Sequence, residues 1–199
     1  MVKELAAEIA ACRLCADSFA TTATAHQPRP VVWFQASARL LIAGQAPGAR
    51  VHASGVPFSD PSGDRLRYWT GLSTSAFYDR DRVAIVPMAF CFPGYDAKGA
   101  DLAPPACCAT TWRARTMAAL PNIRLTLLVG GASQHWHLGT KSVGATVALW
   151  QETLRLRRMI PLPHPSWRNT GWLRRNPWFE ADLLPVLRQE VRAVMELEL

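Results

Sequence analysis

The sequence predicts an α/β protein, a three-layer α/β/α domain around a central four-stranded, mostly parallel sheet. Three observations carry this. Four short apolar runs of strand length recur along the chain. Helical patterns alternate with them, an order that calls for parallel strands covered on both faces. The 199 residues are 49% apolar and 19% charged, which suits one globular core and excludes a disordered chain. With no internal repeat, low-complexity tract or linker, residues 1–199 read as a single domain.

Taken in order, residues 2–11 are rich in Ala, Glu and Leu and read as a short helix. Residues 16–38 are polar, carry Pro28 and Pro30, and read as a loop or extended arm. Arg39–Gly44 is an apolar run ending in Gly, the pattern of a buried strand. A long loop with Gly and Pro pauses, Gln45–Ser62, leads into a helix over Gly63–Gly71 behind Asp60-Pro61-Ser62. Arg82–Met88 is the second strand and Cys91–Pro105 a Gly/Pro-rich loop. A Pro-Pro pair opens a helix over Ala106–Leu120. Arg124–Gly130 is the third strand, followed by helices over Ala132–Leu138 and Val143–Leu156. Met159–Leu162 is the fourth, and delivers the chain to His164-Pro165-Ser166. Pro177–Leu197 is amphipathic, with Phe179, Leu183, Leu187, Val191 and Val194 on one stripe. Ligands of such sheets bind at the carboxyl ends of the strands, here in loops starting at Gly44, Met88, Gly130 and Leu162.

The net charge is +7, and only Lys3, Lys98 and Lys141 among the 22 basic residues are Lys. Arg is the forked donor that suits phosphate, so the balance is compatible with a nucleic-acid partner. A coding bias toward Arg gives the same composition. The longest apolar stretch, around Leu125–Ala132, falls far short of the roughly 20 residues of a membrane helix. Glu4, Glu8 and Arg13 interrupt the segment a signal peptide needs, so a cytoplasmic protein with no membrane partner is expected. No sustained heptad requires a dimer, so a monomer is expected.

Five Cys is an odd number, and disulfides are not expected without an export signal. Cys12 and Cys15 form a Cys-Arg-Leu-Cys unit, followed by Cys91 and the adjacent pair Cys107 and Cys108. One CxxC with two later single positions supplies the four thiolates that zinc or a 4Fe–4S cluster needs. The alternative is a set of buried cysteines acting as small hydrophobes.

Two loops carry the remaining chemistry. Gly44-Gln-Ala-Pro-Gly48 directly follows the first strand and continues through Gly55-Val-Pro-Phe58 to Ser62-Gly63. It lacks the GK[ST] of a Walker phosphate loop. The second, Pro161–Thr170, fixes His164 between two prolines, and its Ser166, Arg168 and Asn169 are donors suited to a phosphate backbone. Trp167, Arg168, Trp172, Arg174 and Arg175 interleave aromatic and basic residues in a way that suits groove insertion. Trp178 reads instead as a buried ring beside the terminal helix.

Together these loops resemble motifs one and two of the uracil-DNA glycosylase superfamily, G-x-x-P-G with G-x-P-F and [S/A]-G, then H-P-[S/A]. The iron–sulfur branches, families four and five, are the most similar. Their CxxC, Cys-x-Pro and final Cys correspond to Cys12, Cys15, Cys91-Phe-Pro93 and Cys108, with Cys107 as the alternate fourth ligand. The resemblance spans roughly residues 10–185. It implies a monofunctional glycosylase of base excision repair that acts on uracil-containing DNA, single- or double-stranded, and carries a 4Fe–4S cluster. Phe58 takes the position that stacks on the flipped uracil, and Gly44, Gln45, Ala46, Pro47 and Gly48 line the base pocket. His164 takes the position that bonds the uracil carbonyl, and Ser166–Asn169 match the loop that enters the minor groove.

The chain departs from the pattern in two places, Gln45 and the segment before the third Cys, and keeps an approximate match at Asp60. Gln45 replaces the acidic residue of family four. Asp60 stands near the Asp of family five. The base-reading Asn upstream of the third Cys is missing, where residues 86–91 read VPMAFC. Breaking an N-glycosidic bond needs a flipped base, an aromatic platform, donors to the carbonyl gaining charge, and a group that orients water. Phe58, His164 and Asp60 have the required chemistry, with Gln45 positioning water or contacting the base. Asp60 also reads as a helix N-cap, and His52 is a further polar candidate in the same loop. Two other readings stand beside this: a catalytically weak, cluster-containing DNA-damage-binding protein, and a zinc-stabilised domain that binds a small nucleotide.

Overall fold

The computed structural model describes residues 2–196. Strands β1 (Leu40–Ala43), β2 (Val83–Ile85), β3 (Leu125–Val129) and β4 (Met159–Leu162) form one sheet in the order β2-β1-β3-β4. Every pairing is parallel, with Leu40 opposite Val83 and Leu125, and Leu127 opposite Ile160. All four coincide with the apolar runs of the sequence. They are buried on both faces, which is why they read as continuous hydrophobic runs rather than alternating ones.

Helices α1 (Val2–Ala10) and α2 (Ala16–Ala20) precede the sheet. Between β1 and β2 lie α3 (Ala49–Ser54), α4 (Pro61–Thr70) and α5 (Thr74–Phe77). Helix α6 (Ala106–Ala118) links β2 to β3, and α7 (Gly131–Leu138), α8 (Val143–Ala148) and α9 (Trp150–Arg157) link β3 to β4. A 3-10 turn (Trp167–Asn169), α10 (Thr170–Arg175), a π-helical turn (Phe179–Leu183) and α11 (Leu184–Glu196) follow. The expected end of the last helix, Leu197, lies outside the described residues.

Two cores flank the sheet. On one face Leu40, Ile42, Leu125, Leu127 and Ile160 pack with Leu66 and Trp69 of α4, Trp150 of α9, and the Phe179, Leu183, Leu187, Val191, Val194 stripe. On the other, Leu41, Ala84 and Val86 pack with Leu5 and Ile9 of α1 and Trp112 of α6. The layers are therefore α/β/α.

The sheet's edges are managed. Ile85 of β2 donates its backbone N–H to Trp33 O at 2.7 Å, so the segment before β1 covers that edge. Pro161 sits on the opposite edge strand, where a missing N–H costs no ladder bond.

Four expectations of irregular or continuous structure change. Residues 16–38 contain α2, the loop Gln45–Ser62 contains α3, the segment after His164 contains the 3-10 turn and α10, and Val143–Leu156 divides at Leu149 into α8 and α9. The first three helices have five or six residues, too few for an apolar stripe to declare itself.

Candidate active site

The loops after β1, β2 and β4 converge on one cavity of about 700 Å³ at the carboxyl end of the sheet. That is within the usual size of small-ligand pockets. Gly44, Gln45, Ala46, Pro47, Gly48, Phe58 and Asp60 line it from the first loop, and His164, Ser166, Arg168 and Asn169 from the last. Pro87, Pro93, Tyr95, Asp101 and Leu102 make the third wall.

Phe58 is held by several independent contacts. Its backbone is left-handed, φ 53°, a conformation that costs a non-glycine residue about 1 kcal/mol or more. Its carbonyl accepts a hydrogen bond from the Tyr78 hydroxyl at 3.1 Å. Its ring meets the edge of Phe77 at 6.1 Å. Gly63 is required here, because a Cβ at that position would stand 1.8 Å from Phe58 O. Gly44 lies against the tip of the ring, where an added Cβ would come 3.6 Å from Phe58 Cζ.

Asp60 does cap a helix. Its Oδ1 accepts from Gly63 N–H at 3.1 Å, and Pro61 occupies the first position of α4. Its other oxygen has no partner among the described residues, and Asp60 lines the cavity, so the cap and the pocket share one carboxylate.

His164 faces the cavity beside Gly130, whose φ of +85° leaves no room for a side chain's ordinary backbone. An added Cβ there would lie 3.6 Å from His164 Cδ2 and 4.0 Å from Gln45 Oε1, so the amide and the imidazole flank one glycine. Burial lowers the His164 pKa from its ordinary value, against the pull of Asp60 and Asp101. The ring is therefore neutral at pH 7 and carries one N–H to donate. Two hydrogen bonds fix its loop: Asn169 Nδ2 donates to His164 O at 2.7 Å, and Arg65 Nη1 of α4 donates to Ser166 O at 2.9 Å. Asn169 thus braces the loop with the amide that the sequence offers to phosphate.

His52 corrects the sequence reading, because it does not line the cavity. Successive helical residues turn about 100°, so Arg50, which does line it, and His52 lie on nearly opposite sides of α3. The His52 ring packs against His26 at 5.1 Å and Phe92 at 5.9 Å, and burial lowers its pKa. Trp178 packs on Trp172 and Phe179 but is only half-buried, not the buried ring the sequence suggests, whereas Trp167 is 75% exposed at the cavity rim. The sequence reading missed Arg50, Arg65, Tyr95 and Asp101. The clue to the last two was the loop after the second strand, whose Tyr95 and Asp101 form an antiparallel bridge at the mouth.

On the far side of that loop the cysteines gather. Cys12, Cys15, Cys91 and Cys108 line one apolar pocket with Phe19, Pro28, Pro30 and Phe90. Among the described residues no three His, Cys, Asp or Glu side chains already stand in metal-holding positions. The donor set nevertheless suits a soft metal centre. Phe90 N–H points at Cys108 Sγ at 3.4 Å, and backbone from Arg29 bonds Cys91. Burial pushes Cys15 and Cys91 up to about 12 and Cys108 to about 11, with the neighbouring thiols adding to the effect at all three. Thiols so crowded carry charge only beside a cation. Cys107 is exposed and does not line the pocket, but its Sγ lies 3.7 Å from Cys15 Sγ.

A parallel α/β sheet with an open cavity over its carboxyl ends, walled by an aromatic ring, a neutral His and a carboxylate, defines a small-ligand site of the kind enzymes of this fold class place there. A sequence model of the uracil DNA glycosylase superfamily matches residues 31–188, and the chain belongs to that superfamily of DNA glycosylases. The matched span begins after Cys12 and Cys15 and includes Cys91, Cys107 and Cys108.

Proposed function

We propose that the protein is a monofunctional uracil-DNA glycosylase, which hydrolyses the bond between uracil and deoxyribose and leaves an abasic site. The observation that supports this best is the meeting of Phe58, Asp60, Gln45 and His164 at one cavity, from loops more than a hundred residues apart. A uracil turned out of the duplex stacks on the Phe58 ring. As the glycosidic bond breaks, its electron pair passes to the base, and a carbonyl oxygen takes up negative charge. The neutral His164 donates a hydrogen bond to that oxygen. The free oxygen of Asp60 orients the water that attacks the sugar carbon and stabilises the positive charge on the sugar. Gln45, an amide, holds the base edge or the water and does not act as a base. Arg168 and Trp167 at the rim contact the phosphates and the groove, and no feature of the cavity mouth requires one strand rather than two.

We read Cys12, Cys15, Cys91 and Cys108 as ligands of a 4Fe–4S cluster, zinc being the other metal four thiolates accept. Such a group would supply a cross-link between the segment around α1 and α2, the loop after β2, and α6. Base chemistry does not run through it.

The test is base release from an oligonucleotide carrying one uracil, against a thymine control. Release from the uracil strand alone is expected. Tight binding to uracil-containing DNA with no release would favour the damage-binding reading and make Gln45 the place to look. Iron, sulfide and zinc content of protein purified without oxygen tests the metal. A colourless, metal-free and fully folded wild type would overturn that part.

A further inference from the structure

Five thiols gather where four complete a metal site, and the fifth stands against one of the four. Cys107 Sγ is 3.7 Å from Cys15 Sγ, across 92 residues of sequence. Cys107 is exposed, whereas Cys12 and Cys15 are half-buried and Cys91 is buried. Cys15 is the N-cap of α2, and Cys107 is the second residue of α6, so both sit at helix ends rather than in a packed interior. Cys108, next in the chain, points into the pocket and receives the Phe90 N–H.

We propose that Cys15 and Cys107 form a peroxide-responsive thiol pair. A hydroperoxide is the oxidant. The Cys107 sulfur, the accessible one, attacks a peroxide oxygen, and the O–O bond breaks to give a sulfenic acid and, with hydrogen peroxide, one water. The Cys15 thiol attacks that sulfur, the S–O bond breaks, and a second water leaves. Two thiols and one hydrogen peroxide thus become one disulfide and two waters, with the peroxide reduced by two electrons. The sulfurs close from 3.7 Å to about 2.05 Å. A dithiol reductant reverses the step by exchange.

The pair has a consequence that rests on the metal reading above. Cys15 in a disulfide is no longer a thiolate, so oxidation withdraws one corner of the site. Metal retention then depends on the peroxide level, while Cys12, Cys91 and Cys108 remain reduced.

The experiment compares wild type, Cys107→Ser and Cys108→Ser, purified under reducing, oxygen-free conditions and treated with hydrogen peroxide. Peptide mass spectrometry maps the disulfides, and a chelating dye follows metal release. A Cys15–Cys107 peptide in wild type, reversed by dithiothreitol and absent from Cys107→Ser, is expected. Metal release several-fold slower in Cys107→Ser than in wild type is expected with it. No linkage, a linkage between other cysteines, or equal release rates would overturn the proposal. So would metal present in purified Cys108→Ser and absent from Cys107→Ser, which would make Cys107 the ligand. A wild type that holds no metal yet forms the Cys15–Cys107 peptide upholds the pair and overturns the metal reading alone.

Discussion

Asp60 shows how one side chain serves a helix end and a cavity wall together. Its Oδ1 caps α4 through Gly63 N–H, and its other oxygen belongs to the cavity. Asn keeps the cap and removes the charge, since the two residues cap equally well. Asp60→Asn is therefore expected to leave the melting temperature near wild type and lower base release more than about tenfold, roughly 1.4 kcal/mol in the barrier. Asp60→Ala loses the cap as well and is expected to cost about 1 kcal/mol of stability, read from denaturant unfolding. An unchanged rate for Asn would remove Asp60 from the chemistry. Trp167 makes the contrasting case. Its ring is 75% exposed, so Trp167→Ala is expected to leave stability alone. DNA affinity should fall by about tenfold if the ring stacks in the groove, a loss measurable by fluorescence anisotropy.

Among the elements, the turn from Phe58 into α4 is the tightest fit. Phe58 O and the Gly63 position approach so closely that any side chain at 63 must push the backbone apart. Gly63→Ala is expected to destabilise the protein by about 2 kcal/mol or more. It should also displace the Phe58 ring, so base release falls beyond what the lower melting temperature explains when assayed well below it. The loop after β2 has a different economy. Pro87, Pro93, Tyr95 and Asp101 face the cavity while Ala89, Phe90 and Cys91 face the thiol pocket. One segment thus walls both sites.

For the molecule as a whole, the acid limb of stability has an identifiable source. Arg113 is 3% exposed, donates to Val86 O at 2.7 Å, and donates to His137 Nε2 at 2.6 Å. Burial, with Arg113 beside it, holds His137 at about 4, below its ordinary 6.5. The unfolded chain therefore takes up this proton at higher pH than the folded one. The group's contribution is whole above pH 6.5 and is lost as pH falls toward 4, by up to about 3 kcal/mol. His164 acts in the same direction. His137→Gln keeps an acceptor for Arg113 and has nothing to titrate. Its urea midpoint should fall less than that of wild type between pH 6.5 and 4, and identical limbs would clear His137 of the effect.

Much of this architecture was legible in the residues. The four strands declare themselves because parallel strands buried on both faces must be apolar throughout. The Phe179-to-Val194 stripe does so because a long helix repeats its period several times. Phe58, Asp60 and His164 were legible because their loops resemble the two glycosylase motifs, not from spacing alone. What stayed hidden depends on distance in space. Asp101 joins the cavity only through a bridge to Tyr95, and Arg65 reaches Ser166 across 101 residues. His52 misled because proximity in sequence does not say which way a six-residue helix turns.

The order of the strands along the chain has a bearing on when the site comes into being. β4 is the last strand made, and His164 reaches the cavity only once β4 has paired with β3. On the ribosome Phe58 is made long before His164, but α4, which carries its turn, packs through Leu66 and Trp69 on Phe179 and Leu187, so the platform too waits for the last part of the chain. A nascent chain stalled before residue 159 therefore lacks the imidazole, the edge strand and the stripe that backs α4, and is expected neither to bind a base nor to release one. The cavity is complete only in one late step, when β4 takes its place at the edge of the sheet and the C-terminal stripe packs beneath it.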